Sequence, residues 1–269
     1  MENTFQDDGL ELFAKDGPPA LPAGGDIIER AGARVWFASF GAGPAVLLLH
    51  GGMGNANNFG HQVPALLAAG YRVVVIDSRG QGRSSWDGGA FSYIQFAEDA
   101  FAVMDRLGIH DTGIVGWSDG ACTGLAMARM APERVRGVFF FACNVDETGA
   151  LPFVMSETIG NCLTRHQRDY AALSPHPERF EEMSQKLQVM QGSQPDYSAD
   201  DLQNISVPVT VAQAERDEFI RAEHAQYIAK TIPGAAYVGL AGVSHFAPVQ
   251  RPGLFHGAVL AFLAGLRKE

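Results

Sequence analysis

Cysteine is scarce in this sequence. Three of its 269 residues are cysteines, Cys122, Cys143 and Cys162. They are odd in number, scattered and never arranged as Cys-x-x-Cys. Neither a disulfide framework nor a zinc site is supported by such spacing, and a reducing interior is the expected setting. Positive charge is also short: 20 Lys and Arg stand against 30 Asp and Glu, for a formal net charge of −10. Nucleic-acid binding needs basic patches that displace counterions, and anchoring to an anionic membrane needs a polybasic segment, so neither partner is expected. No run of about eighteen apolar residues is present to span a bilayer. The stretch Met1–Asp8 lacks the basic and apolar regions of a signal peptide, so the cytoplasm is the expected location. Internal repeats and low-complexity tracts are missing too.

What is present is a core. Hydrophobic residues make up 46% of the chain, enough for one large domain with a small insertion. After a polar, Gly- and Pro-rich stretch to about residue 25, read as a surface lead-in, two short β runs fall at 26–30 and 33–40. Apolar runs then alternate with segments of helical spacing. The runs lie at 45–49, 72–76, 113–117, 135–142 and 207–212, with a strand near Tyr237. The helices lie at 59–69, 93–107, 118–130, 221–232 and 255–266. Runs apolar on both faces suit buried parallel strands, so this rhythm predicts a mostly parallel sheet flanked by helices. Ligands of such sheets sit outside the carboxyl ends of the strands. Between residues 146 and 205 the rhythm fails. That segment is helical and more polar, and it is read as a short cap between two parts of a core, 1–145 and 206–269.

Chemistry-bearing residues collect at predicted strand ends. Gly116-Trp117-Ser118-Asp119-Gly120 matches G-x-S-x-G between a strand and a helix, the setting in which such a serine serves as nucleophile. His50-Gly51-Gly52 follows the first long apolar run, where glycines let the backbone offer an amide to an oxyanion. The two candidate donors are the N–H of Asp119 and that of Gly52, with Met53 second. His50 itself is read as part of the turn. His245 follows the last strand and is the candidate base. Asp217 follows the strand at 207–212 and is the preferred partner for His245; Glu215, Glu218 and Asp146 compete. The order Ser, Asp, His is the one this fold requires. Met53, Asp119 and Phe246 flank these groups as candidate substrate contacts. The Asp119 carboxylate has two readings, a helix N-terminal acid favoured by the dipole or a partner for a substrate ammonium. Phe153, Met155, Ile159 and Leu163 share helical spacing and are expected to pack the cap. Arg165, His166 and Arg168 are expected on a solvated helix face.

Together with Asp77-Ser78-Arg79-Gly80-Gln81-Gly82-Arg83-Ser84, these motifs resemble the α/β-hydrolase superfamily over nearly the whole chain. Gly-Trp-Ser-Asp-Gly is most similar to the biphenyl-hydrolase-like (valacyclovir hydrolase) branch, and it also resembles esterases and enol-lactonases. The resemblance implies a carboxylic ester hydrolase without a cofactor, cleaving small esters, thioesters or lactones through an acyl-serine intermediate. Gln81 departs from the family, which usually has His there, and Gln213-Ala214-Glu215 replaces a more usual apolar-Gly-Glu. With Ser118 at the elbow centre, relatives that use Asp as nucleophile do not fit. Two competing readings remain: a ligand sensor on the same fold with slow turnover, and a carbon–carbon bond hydrolase.

Overall fold

The computed structural model describes residues 8–266. Residues 1–7, which hold most of the stretch read for signal features, lie outside the described residues. In chain order the first elements are helix α1 (Asp8–Asp16), strands β1 (Asp26–Arg30), β2 (Ala33–Phe40) and β3 (Ala45–Leu49), helix α2 (Gln62–Ala68) and strand β4 (Arg72–Ile76). Helix α3 (Tyr93–Arg106), strand β5 (Thr112–Trp117), helix α4 (Asp119–Met130) and strand β6 (Val135–Phe141) follow. The chain then leaves the sheet through α5 (Glu157–Leu173), α6 (Phe180–Gln191) and α7 (Ala199–Gln203). It returns as β7 (Val209–Arg216), α8 (Ala222–Thr231), β8 (Ala236–Ser244), α9 (Ala247–Gln250) and α10 (Pro252–Gly265).

One eight-stranded sheet results, in the order β1-β2-β4-β3-β5-β6-β7-β8. The pairs β1/β2 and β2/β4 are antiparallel and every later pair is parallel. Strand side chains alternate between faces, and the sequence fills both faces with apolar groups. Leu47, Leu49, Val74, Ile76, Val138 and Phe140 pack with α3, α4 and α8. Val46, Leu48, Val73, Val75, Phe139 and Phe141 pack with α1, α2 and α10. Two cores therefore sandwich the sheet, the arrangement expected from runs apolar on both faces.

Three details differ from the sequence reading. First, the lead-in is partly structured. Leu10 and Phe13 of α1 are buried, and the helix packs against α5 and α9. Nine residues make too short a helix to stand alone in water, so its partners rather than its propensity form it. Second, β7 runs to Arg216 rather than stopping at 212. Its polar end pairs only with the long edge strand β8, and Glu215 and Arg216 are exposed there. Third, Phe153 and Met155 are exposed instead of packing the cap, while Ile159 is buried as the spacing predicts.

The Asp77–Ser84 segment acts as a bracket behind the site. Asp77 is fully buried and accepts from Ala56 N (2.6 Å), Arg83 N (2.7 Å) and Arg83 Nη1 (2.8 Å). Arg79 donates through Nε and Nη2 to the two Asp99 carboxylate oxygens at 2.8 and 2.7 Å. It also donates to the Ala31 and Arg30 carbonyls, so loops from both ends of the sheet edge are tied together. Burial acts to raise the Asp99 pKa more than Arg79 and Arg30 lower it.

Candidate active site

The tightest turn of the chain carries Ser118. Its φ of 55° and ψ of −122° lie where non-glycine residues are rare. The turn is over-determined by its neighbours. A Cβ on Gly116 would collide with Ala121 Cα and the Gly120 carbonyl, and one on Gly120 would collide with the Leu49 carbonyl. Ser118 N donates to Phe141 O at 2.9 Å, and Ser118 O accepts from Ala121 N at 2.7 Å. The side chain is thereby held at the N-terminus of α4, facing a cavity of about 240 Å³ whose wall also includes Gly52, Met53, Asp119, His245 and Phe246. Every proposed contact residue from the sequence borders this one space.

His245 follows β8 and is buried. Its Nδ1 lies 3.1 and 3.2 Å from the two Asp217 oxygens. Asp217 also accepts from Phe219 N and Ile220 N, each at 2.9 Å, which fixes the carboxylate from behind. Burial acts to lower the His245 pKa, but the charge and hydrogen bond of Asp217, with Glu218 and Asp119, outweigh it and hold the ring above its ordinary value. The competing acids are engaged elsewhere. Glu215 accepts from Gly242 N, Glu218 accepts from His245 N, and Asp146 caps a short turn through Thr148 N.

His50 has the role in its turn that the sequence suggests. Ser78 N donates to His50 Nε2 at 3.0 Å, so the proton sits on Nδ1, which donates to Gly51 O at 2.7 Å. The planar peptide then turns the Gly52 N–H the opposite way. Among the described residues neither Gly52 N nor Met53 N donates to a protein acceptor. Met53 adopts a φ of 61°.

Asp119 departs from a simple helix-end acid. Its carboxylate is buried in the cavity wall and accepts from Tyr93 Oη at 2.9 Å and from Gln191 Nε2 at 3.0 and 3.2 Å. Burial raises its pKa, against the Tyr93 and Gln191 hydrogen bonds and the nearby His245. Tyr93 reads in the sequence as one more residue of a strongly amphipathic helix, and Gln191 belongs to no motif. The cap brings a second surprise. Arg165 pairs with Asp169 one turn on and Arg168 is exposed, but His166 turns inward, is 4% exposed and borders the cavity. An isolated histidine in a polar helix gives no warning of this, because the face it occupies depends on where α1 and α9 dock.

Among the described residues no cluster of three His, Cys, Asp or Glu is placed to hold a metal, and no helix is long and apolar enough to cross a membrane.

Known proteins share this architecture. Among curated relatives, the chain is 28% identical over 252 residues to a protein of Azorhizobium caulinodans named as a carbamate hydrolase, RutD, covering 86% of this chain and 95% of that one. It is 33% identical over 122 residues to bifunctional epoxide hydrolase 2 of Sus scrofa, covering 45% of this chain and 22% of that protein. It is 41% identical over 98 residues to epoxide hydrolase B of Mycobacterium tuberculosis, covering 36% and 28%. The match thus spans about a quarter of the length of these epoxide hydrolases. Two solved structures superpose over nearly all of the chain. One is the meta-cleavage product hydrolase of Pseudomonas fluorescens, with a TM-score of 0.76, 19% identity and coverage of 90% and 98%. The other is the enol-lactonase of Burkholderia xenovorans, with a TM-score of 0.74, 19% identity and coverage of 89% and 100%. At these identities they speak for the fold. Residues 44–180, half of the chain and including the Ser118 turn, match the family described as alpha/beta hydrolase fold, and this chain belongs to that family.

Proposed function

We propose that the chain is a serine hydrolase that cleaves small carboxylic esters, thioesters or lactones, with Ser118 as nucleophile, His245 as base and Asp217 as the group that orients it. The observation that carries this reading is the imidazole held by Asp217 on one side of a cavity that Ser118 faces in a strained turn. Asp217 engages Nδ1, so the proton rests there and Nε2 is the free base. His245 takes the Ser118 hydroxyl proton as Oγ bonds to the carbonyl carbon. The tetrahedral oxyanion is met by the N–H of Asp119 and that of Gly52, with Met53 the second choice. Collapse breaks the ester bond, and His245 returns the proton to the departing alcohol. Water repeats the sequence on the acyl-Ser118 and frees the acid. The Asp217 carboxylate stabilises the imidazolium in each half.

The small cavity, walled by Leu151, Leu163, Phe219 and Ile220 as well as polar groups, suits short acyl chains or compact rings. The relatives' printed activities, on carbamates, epoxides and enol-lactones, scatter too widely to choose a substrate. A serine rather than an aspartate at the turn speaks for acyl chemistry over epoxide opening. Hydrolysis of p-nitrophenyl acetate and butyrate by the wild type and by Ser118→Ala tests the reading. Rapid turnover that the substitution abolishes is expected. Equal rates in both proteins would remove Ser118 from the mechanism, and tight ester binding without turnover would favour a sensor. Adding aminoacyl esters to the panel tests whether the Asp119 carboxylate meets an ammonium.

A further inference from the structure

Three residues of the cavity wall each carry a buried polar atom without a hydrogen-bond partner: Asn58 Nδ2, Trp117 Nε1 and His166 Nδ1. Buried polar groups are paired as a rule, so three such atoms around one space need a reason. None can turn freely to find a partner. Asn58 Oδ1 accepts the Asn55 N–H at 3.0 Å, which only the carbonyl end of an amide can do, so the NH₂ faces the other way. The Trp117 ring lies edge-on to Phe246 at 5.8 Å and beside His245 at 6.2 Å. The His166 ring meets Phe13 edge-on at 5.5 Å and stacks on Phe246 at 6.2 Å.

The three groups are uncharged. Asn58 and Trp117 are neutral by nature. Burial first, then the proximity of His50 and Arg165, pushes the His166 pKa down to about 3, so its ring is neutral near pH 7. The charged end of the cavity is elsewhere, at Asp119, and its carboxylate already has Tyr93 and Gln191 as donors.

Building on the serine-hydrolase reading, we propose that Asn58, Trp117 and His166 form an uncharged polar subsite that recognises a hydroxyl group of the substrate, apart from the bond to be cut. A hydroxyl oxygen accepts from the Asn58 amide and the Trp117 indole, and its proton is donated to His166 Nδ1. A carboxylate has no proton to give, and an ammonium has no lone pair to receive one.

The test compares p-nitrophenyl butyrate with p-nitrophenyl 2-hydroxybutyrate and 3-hydroxybutyrate. The wild type is expected to favour one hydroxylated ester by at least about tenfold in kcat/KM, chiefly through KM, because a site built to pair with a hydroxyl discriminates against its absence. In His166→Phe and in Trp117→Phe, which keep an apolar ring in place, that ratio falls to about one. A wild-type ratio near one for both hydroxylated esters, or an unchanged ratio in both variants, overturns the subsite. Absence of esterase activity in the wild type, or its survival in Ser118→Ala, overturns the serine-hydrolase reading instead. The subsite is then decided by binding alone. Ethyl 3-hydroxybutyrate or ethyl 2-hydroxybutyrate, but not ethyl butyrate, is expected to shift the His166 ring-nitrogen resonances of Ser118→Ala, and no shift with either hydroxy ester overturns it.

Discussion

The sheet rim and the cap meet across one cavity but are built on different principles. At the rim, each proposed reacting group is held by several independent contacts. Ser118 is clamped by Gly116, Gly120 and two backbone hydrogen bonds, and Asp217 by two amides besides His245. In the segment between β6 and β7, few contacts fix each side chain. His166 has ring neighbours but no hydrogen bond, Gln191 reaches the site through one side-chain amide, and Phe153, Val154 and Met155 lie exposed. The difference teaches that reaction geometry and substrate choice are supported separately: rigid strand ends for the first, a more loosely held lid of helices for the second.

Substitutions can break this comparison. The largest effect is expected at the rim. Asp217→Asn should lower kcat by about 10⁴, as loss of the orienting carboxylate does in comparable triads, whereas Asp146→Asn should leave kcat near wild type. Steady-state kinetics on p-nitrophenyl butyrate decides, and the reverse pattern would move the role to Asp146. Next comes stability. Arg79→Met leaves Asp99 buried with only the half-exposed Arg30 at 3.4 Å, and breaking such a pair costs about 3–5 kcal/mol. In contrast, Val154→Ser in the cap, at 75% exposure, should change stability by less than about 0.5 kcal/mol. Urea denaturation of both variants measures the contrast, and equal losses would erase it.

The smallest effect sharpens the electrostatics. A base must be neutral, so activity is lost as pH falls through the raised pKa of His245. Glu218 is one of the groups that raise it. Glu218→Gln retains an acceptor for His245 N while removing the charge, so the acid limb of kcat/KM should move to lower pH with kcat nearly preserved. An unmoved limb would assign the raised pKa to Asp217 and Asp119 alone.

Much of the rim was legible because its requirements are local. Apolar runs announced each parallel strand, and G-x-S-x-G announced a turn that excludes Cβ atoms at two positions. Asp217 was chosen over Glu215, Glu218 and Asp146 from its place after a strand, and the His245 contact agrees with that choice. The cap was legible only as an interruption. Helical spacing at Phe153 and Met155 suggested packing that did not occur, since helix α5 starts beyond them at Glu157. The inward turn of His166 and the Tyr93–Asp119–Gln191 cluster left no pattern, because each joins segments with no fixed spacing between them.

By itself, then, the sequence determined the strand–helix alternation, the strained turn at Ser118 and the order of the three candidate catalytic residues, since periodicity and glycine placement act over a few residues. Only the tertiary structure decided what surrounds the substrate. The helix at Asp8–Asp16, the buried face of His166 and the unpartnered atoms of Asn58 and Trp117 exist through docking between distant segments, and burial, unlike periodicity, is a property of the whole packed chain.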